Sequence, residues 1–341
     1  MFPAFRSATA TLLSAALLTG ACHRAPLAPP AAGATAAATA VPPAATYQVI
    51  NLMPAFEEFW QKARTQDEAT QVKLFQQLLA DRYPEVYNNS VLGGPADKTF
   101  ADVLPMRYAK VQSMVLPKMD LVLRLSKQIG QDLPRYEASF RKTFPDLDYR
   151  GRLYFMYSLG GFDGGTRTIG GQQALLFGLD MIAYVYGHEA DPAPFFHHEF
   201  FHVYHSQFFE RNESVASALW REGLATYVAH ALNPSANGVN LFGLPLNTPA
   251  RTQADLPRYA RELRAALDSE KREDYARYFL GGMDAQAATP ARSGYYLGYL
   301  VAEKLAKRHS LPELAHANLA QLRPEIEQAL LELETTPAPK P

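Results

Sequence analysis

Apolar positions recur at helical spacing through most of the stretch from Pro54 to Phe144. In "MPAFEEFWQKA" they fall at 53, 56, 59 and 60, and "DEATQVKLFQQLLADRY" and "MVLPKMDLVLRLSKQI" continue in the same manner. The period then changes. "RLYFMYSLGG" and "QALLFGLDMIAYVYG" are short, aromatic and rich in branched residues, and five of the eleven residues between them, "GFDGGTRTIGG", are glycine. This pattern predicts strands joined by tight turns. Asp191-Pro192 opens the next element, since aspartate suits an N-cap and proline the first helical position. A helix is predicted over about 192–209, followed by "SALWREGLATYVAHAL", helices near 251–267 and 269–279, "SGYYLGYLVAEKLAKRH" and "PELAHANLAQLRPEIEQALLEL". The sum is a mainly helical α+β fold with one small sheet near the middle.

The ends read differently. In "MFPAFRSATATLLSAALLTGAC", Arg6 supplies a short positive region, residues 8–19 are apolar or small, and Gly20 and Ala21 precede Cys22, the single cysteine of the chain. The apolar run has the length of a secretory signal core and is too short to span a bilayer. The order resembles the lipobox of bacterial lipoproteins, with Thr19 where that pattern most often has leucine. The resemblance implies a signal peptide over 1–22, lipidation of Cys22 and a membrane anchor in the bacterial cell envelope. Residues 23–46 are almost entirely Ala, Pro, Gly and Thr and read as a tether. The remainder divides into an N-terminal helical region over 47–150, a second region over 151–334 that carries the motifs, and a disordered tail over 335–341.

Composition narrows the chemistry. A formal net charge of -1 in 341 residues gives no basic excess for nucleic acid. With Cys22 lipidated, no thiol remains for disulfides or thiol catalysis.

The segment "APFFHHEFFHVYHSQFF" places His197, His198, His202 and His205 among phenylalanines. His198 and His202 are four apart, so on a helix both imidazoles project from one face and can reach a single ion. Glu199 lies one step round, placed to take a proton from a water on that ion. This is H-E-x-x-H, the signature of a zinc hydrolase helix whose glutamate is the general base. The helix is apolar nearly all round and is expected to be buried, where two imidazoles and a carboxylate need a partner. Zn2+ satisfies all three. A third protein ligand is required, with one position left open. Glu222 in "LWREGLATY" is a carboxylate in another apolar helix, and His205 is three residues after His202; the spacing leaves both open. His197 points about 100° away and reads as a supporting or surface group. In "RSGYYLGYLVAEKL", Gly294 and Gly298 leave a smooth helix face, and Tyr295, Tyr296 and Tyr299 offer hydroxyl donors that could stabilise an oxyanion.

Taken together, H-E-x-x-H followed by an Glu-Gly-x-Ala segment resembles the gluzincins, whose third ligand is a glutamate on the next helix. The further G-Y-x-x-G-Y resembles a bacterial family of predicted zinc-dependent proteases with relatives among gliding-motility lipoproteins. The resemblance covers roughly residues 150–310. It implies a zincin-like metallopeptidase core with the sheet packed on the H-E-x-x-H helix. It also implies zinc held by His198, His202 and Glu222, Glu199 as base, and a peptide or protein substrate; Tyr295 and Tyr296 stand as candidate oxyanion donors to which the resemblance assigns no role. Many gluzincins carry an acidic residue four positions after the ligand glutamate, where this chain has Thr226. The segment "ALLFGLD" is expected as a sheet edge on which an extended peptide pairs. The alternative is a non-catalytic envelope lipoprotein that binds a protein partner and keeps a structural or vestigial zinc site.

Overall fold

A computed structural model of the protein describes residues 47–243, 247–280 and 287–335. The expected signal segment with Cys22, the tether and the tail after Thr335 lie outside the described residues.

A short strand, β1 (Gln48–Asn51), leads into helix α1 (Met53–Ala63), whose first N–H is received by the Asn51 side chain. Next come α2 (Glu68–Phe75), started by Asp67 accepting from the Thr70 N–H, then α3 (Asn89–Leu92) and α4 (Phe100–Val115), which opens on a Thr99/Asp102 capping box. The apolar pattern across 114–129 does not make one helix. Pro117 lacks an N–H, and a 3-10 turn at Leu116–Lys118, with the backbone leaving the helical region at Lys118, separates α4 from α5 (Met119–Thr143). One face of α5, including Leu121, Leu125, Ile129, Tyr136 and Phe140, is buried.

β2 (Arg152–Met156), β3 (Gly164–Ile169) and β4 (Gln172–Gly178) complete a four-stranded sheet in the order β1-β2-β4-β3. β1, β2 and β4 run parallel, and β3 is antiparallel to β4 with Gly164 opposite Phe177 and Ile169 opposite Gln172. Both sides of the boundary expected at residue 150 thus contribute strands to one sheet.

Three expectations are corrected here. The glycine-rich segment is more than a turn, because Thr166–Ile169 form most of β3 and only Gly170-Gly171, with φ of 59° and 78°, make the two-residue hairpin turn. The run "QALLFGLDMIAYVYG" is not strand throughout; it becomes helix α6 (Leu179–Tyr186) after Gly178. Met181, Tyr184 and Val185, on the partly exposed side, are apolar or aromatic too, and this hides the helical period there. The Asp180 carboxylate, fully buried at the head of α6, accepts the backbone N–H groups of Ser158 at 2.6 Å and Gly160 at 2.8 Å, joining the helix to the end of β2. Finally, "ALLFGLD" is no edge. β4 lies between β2 and β3, so an extended peptide that pairs with the sheet on this side has β3 to pair with.

α7 (Pro192–His205) packs under the sheet, with Phe177 of β4 stacked on Phe196 at 5.8 Å and edge-on to Phe195 at 5.9 Å. Phe140 of α5 meets Phe200, one turn further along α7, at 5.0 Å. α8 (Val215–Leu232) follows, then α9 (Gly238–Phe242), α10 (Thr248–Ala254), α11 (Leu256–Ala265), α12 (Arg272–Phe279), α13 (Ser293–Leu305), α14 (Leu311–His316) and α15 (Leu319–Glu334). The whole is a mainly helical α+β fold with its small sheet packed on the H-E-x-x-H helix.

α8 and α13 touch backbone to backbone. A Cβ added to Gly223 would come 2.2 Å from the Gly298 carbonyl carbon, and one added to Gly298 would come 2.5 Å from the Leu219 carbonyl oxygen. Gly298 therefore fills the role its spacing predicts, whereas Gly294 makes room for the Phe279 ring. The substitution Gly298→Ala gains about 1 kcal/mol in helix propensity but forces the helices apart. The expected net loss is about 1–3 kcal/mol in urea unfolding, with an unchanged m value. Stability equal to or above wild type would contradict the close crossing.

Candidate metal centre

The centre is built where α7 passes α8. Asp191 caps α7 by accepting the Ala193 N–H at 3.0 Å, and Pro192 sits in its first turn. Phe195, Phe196, Phe200, Phe201, Val203 and Tyr204 are buried around the helix, so its polar residues 198, 199 and 202 form one strip against a cavity of about 650 Å³. α8 starts at Ser214, whose hydroxyl accepts the Ser217 N–H. Its Glu222 reaches into the same cavity.

Three ligand atoms converge. His202 Nε2 lies 3.1 Å from His198 Nε2 and 3.2 Å from Glu222 Oε2, and His198 Nε2 lies 3.6 Å from Glu222 Oε2. Tetrahedral ligands at zinc bond lengths of about 2.0–2.1 Å stand about 3.3 Å apart, so the spacing fits one small cation held by all three. Among the described residues this is the group of His, Cys, Asp or Glu side chains that could hold a metal ion. Two imidazoles and a carboxylate are also the ligand set of hydrolytic zinc sites with an open fourth position.

The electrostatics agree. Burial works to lower the proton affinity of His202, but the Glu222 charge outweighs it and holds the imidazole above its ordinary value. For Glu222, burial works to raise the pKa, yet the His202 charge and hydrogen bonds from both imidazoles hold the carboxyl well below the usual range. These opposite shifts describe one attraction seen from its two ends. Burial dominates at His198, which is shifted down. The cluster thus favours a positive charge placed among its three atoms.

Glu199 is not in the group but faces the same cavity. Burial, helped by the Asp163 and Glu222 charges, pushes its carboxyl up to about 7. The start of β3 passes directly over it. A Cβ on Gly164 would lie 2.7 Å from Phe195 Cζ and 2.9 Å from Glu199 Cγ and Cδ, so glycine lets the strand come this near to both side chains.

Of the tyrosines singled out in the sequence, the structure brings one to the cavity. The Tyr295 ring stacks on His198 at 6.4 Å with a 24° tilt, and burial raises its hydroxyl pKa well above the ordinary value. Tyr296 faces away, its hydroxyl donating to Gln253 of α10 at 3.1 Å, and the Tyr299 hydroxyl meets His230 Nδ1 at 2.8 Å.

The two neighbouring histidines stand apart from the three ligands. His197 is buried between α5 and α8: Nδ1 accepts from Asn233 at 2.8 Å, while Nε2 meets the Tyr136 carbonyl at 3.0 Å and the Ser139 hydroxyl at 2.8 Å. This network assigns the neutral Nε2–H tautomer. His205 is sandwiched by Phe201 at 5.1 Å and Phe209 at 4.7 Å.

Sequence reasoning did not single out Asp163, Gly164, Arg167, Arg221 or Arg292, all of which line the cavity. A signal existed for two of them. Arg221 sits beside Glu222 in an apolar helix, and Arg292 heads the tyrosine-rich one.

Burial holds the His205 imidazole down at about 3, with the His202 and Arg221 charges adding to it. An unfolded histidine titrates near 6.5. Below that pH the unfolded chain binds a proton that the folded chain refuses, so stability falls as pH drops from about 6.5 toward about 3. At pH 5 the contribution is about 2 kcal/mol. His205→Leu is therefore expected to reduce the stability lost between pH 7.5 and pH 5 by about that amount in urea unfolding. Identical pH dependence in both proteins would contradict the burial of this ring.

No curated protein and no solved structure matches the chain. Residues 183–321, which contain all three ligands together with Glu199, Arg292 and Tyr295, match the model of a family described as predicted Zn-dependent protease (DUF2268), and this match supports that family for the part of the chain that builds the metal centre.

Proposed function

We propose that the protein is a zinc-dependent peptidase in which His198, His202 and Glu222 hold the ion and Glu199 is the general base. The observation that carries this reading is the division of labour between two carboxylates. Glu222 joins the converging ligand group, while Glu199 faces the same cavity outside it. A purely structural zinc site typically has four protein ligands and no use for such a base. When bound, zinc supplies Lewis acidity, polarising a carbonyl and making water more acidic. Glu199 takes the proton of the attacking water and returns it to the leaving amine. A carboxyl whose proton affinity is raised toward neutrality is suited to both transfers. The Tyr295 hydroxyl, in the same cavity, is the group available to donate to the oxyanion. The substrate class is a peptide or protein, as the family description implies.

Metal analysis together with cleavage of broad peptide libraries tests the assignment. Wild type is expected to carry zinc and to cleave. Glu199→Gln should keep the metal and lose about 10²–10⁴ in kcat, whereas Glu222→Ala should lose the metal. Zinc in the wild type with no cleavage would leave a metal-binding module and defeat the peptidase reading.

We further propose that Cys22 is lipidated and anchors the folded unit in the bacterial cell envelope. The ordered succession of Arg6, the apolar stretch and Gly20-Ala21-Cys22 supports this. In a bacterial host, labelled fatty acid should appear in the full chain and be absent from Cys22→Ser. Equal labelling of the two proteins would remove the anchor.

A further inference from the structure

Three arginines line the cavity beside the metal centre. Two are committed elsewhere. Arg167 donates to the backbone carbonyls of Thr166 at 2.8 Å and Val91 at 3.3 Å. Arg221 lies 3.6 Å from Glu222 Oε1, on the side of that carboxylate away from the histidines' shared oxygen.

Arg292 differs from both. Its guanidinium lies over the Tyr295 ring at 4.4 Å, and among the described residues no carboxylate forms an ion pair with it. The Asp163 carboxylate, also in the cavity, accepts the Gly164 N–H at 3.0 Å. Arg292 also has φ 57° and ψ 21°, a left-handed backbone at a residue with a long side chain. Such a conformation persists only where the surroundings impose it. Here the Arg292 N–H is held by the Leu280 carbonyl at 3.1 Å, and the Ala291 carbonyl by the Thr248 hydroxyl at 2.7 Å. Space is kept for the head group as well, since a Cβ on Gly243 would come 3.3 Å from Arg292 Nη1. The Asp163 and Glu222 charges act on it from a distance, but a cation held in a pocket by a strained backbone with no ion pair among the described residues is built to receive an anion. A guanidinium does this best with a carboxylate, through two parallel hydrogen bonds.

We propose that Arg292 binds a carboxylate of the substrate, so that the protein selects peptides bearing a C-terminal carboxylate or an acidic side chain near the scissile bond. The proposal rests on the peptidase reading, which supplies the peptide. Binding can be measured without turnover in the full-length, zinc-loaded Glu199→Gln protein, using fluorescent peptides in matched pairs. One pair differs only in a C-terminal acid or amide, the other only in an internal Glu or Gln.

In at least one pair the acidic member is expected to bind about 10- to 100-fold more tightly, and the pair that responds identifies the source of the carboxylate. Adding Arg292→Gln should bring that ratio to within about threefold. Arg292→Lys, which keeps the charge but not the fork, should give an intermediate ratio and serves where the glutamine variant does not fold. Equal binding within both pairs, or a ratio unmoved by either variant, overturns the proposal. So does a variant that lowers kcat on every peptide alike with selectivity unchanged, which would place Arg292 on the reacting carbonyl. The two readings fail separately. A carboxylate preference in binding with no cleavage by wild type defeats the peptidase and leaves Arg292 its ligand. Cleavage at equal rates of acidic and neutral peptides does the reverse.

Discussion

The convergence of two imidazoles and one carboxylate inside an apolar layer is the constraint on which the rest of this structure depends. His198 and His202 gain their alignment from helical geometry alone, being one turn apart on α7. Glu222 has no such local guarantee. It must be delivered by a second helix, and the position of α8 is fixed by contacts on both of its sides. On one side is α7. On the other, Gly223 lies against Gly298 so closely that neither can carry a side chain. A ligand distance of 3.2 Å at one face of α8 is thus backed by a backbone crossing at the adjoining residue. A helix held by larger side chains could rock, and the ligand carboxylate would move with it.

The same apolar layer sets the behaviour of every charge that enters it. The phenylalanines of α7 and the sheet leave the His198 and His202 side chains only 13% and 17% exposed, so the groups around the cavity respond strongly to one another. That is why Glu222 and His202 shift in opposite directions, while Glu199, with no cation in hydrogen-bonding contact, shifts the other way from Glu222. Two glutamates of identical chemistry acquire different roles from their surroundings. One is a stable anion within the group that could hold an ion; the other has its carboxyl pushed up to about 7. A helix lined with polar residues would have levelled this difference.

Much of the site could be read from the chain because it obeys local rules. The H-E-x-x-H spacing, the Asp191-Pro192 start of α7 and the apolar flanks of Glu222 are written within a few residues of one another, and the structure brings those three ligands together. Most helices also follow from their period, and their breaks from Pro117 and the capping residues. What escaped was decided by pairing at a distance. β1 is four residues long, and nothing local distinguishes it before it pairs with β2. The strand in "GFDGGTRTIGG" was masked by its glycines, one of which is required by a side chain thirty-five residues away, Glu199. The α6 segment has apolar or aromatic residues on its partly exposed side as well, at 181, 184 and 185, and so shows no clear period. Tyr295 and Tyr296 are adjacent in sequence but lie about 100° apart around α13, and only the tertiary packing selects which one meets His198.

Backbone choices around the cavity carry a further lesson about how such a site is assembled. Gly164 and Gly223 are needed there, yet neither adopts a left-handed backbone. Each is glycine because another part of the molecule occupies the space of a Cβ: the Phe195 ring and the Glu199 side chain in one case, the Gly298 backbone in the other. Arg292 is the inverse case, a left-handed residue that is not glycine. Glycine would relieve the strain at that position and would also remove the guanidinium from the cavity. The strain is held in place by a hydrogen bond from the Arg292 N–H to the Leu280 carbonyl and one from the Thr248 hydroxyl to the Ala291 carbonyl, with partners in different parts of the chain. A conformation that costs free energy and is enforced from two sides is best explained by the side chain it presents. Small residues therefore bring the reactive carboxyl and the ligand helix close, and one strained residue sets a cation beside them.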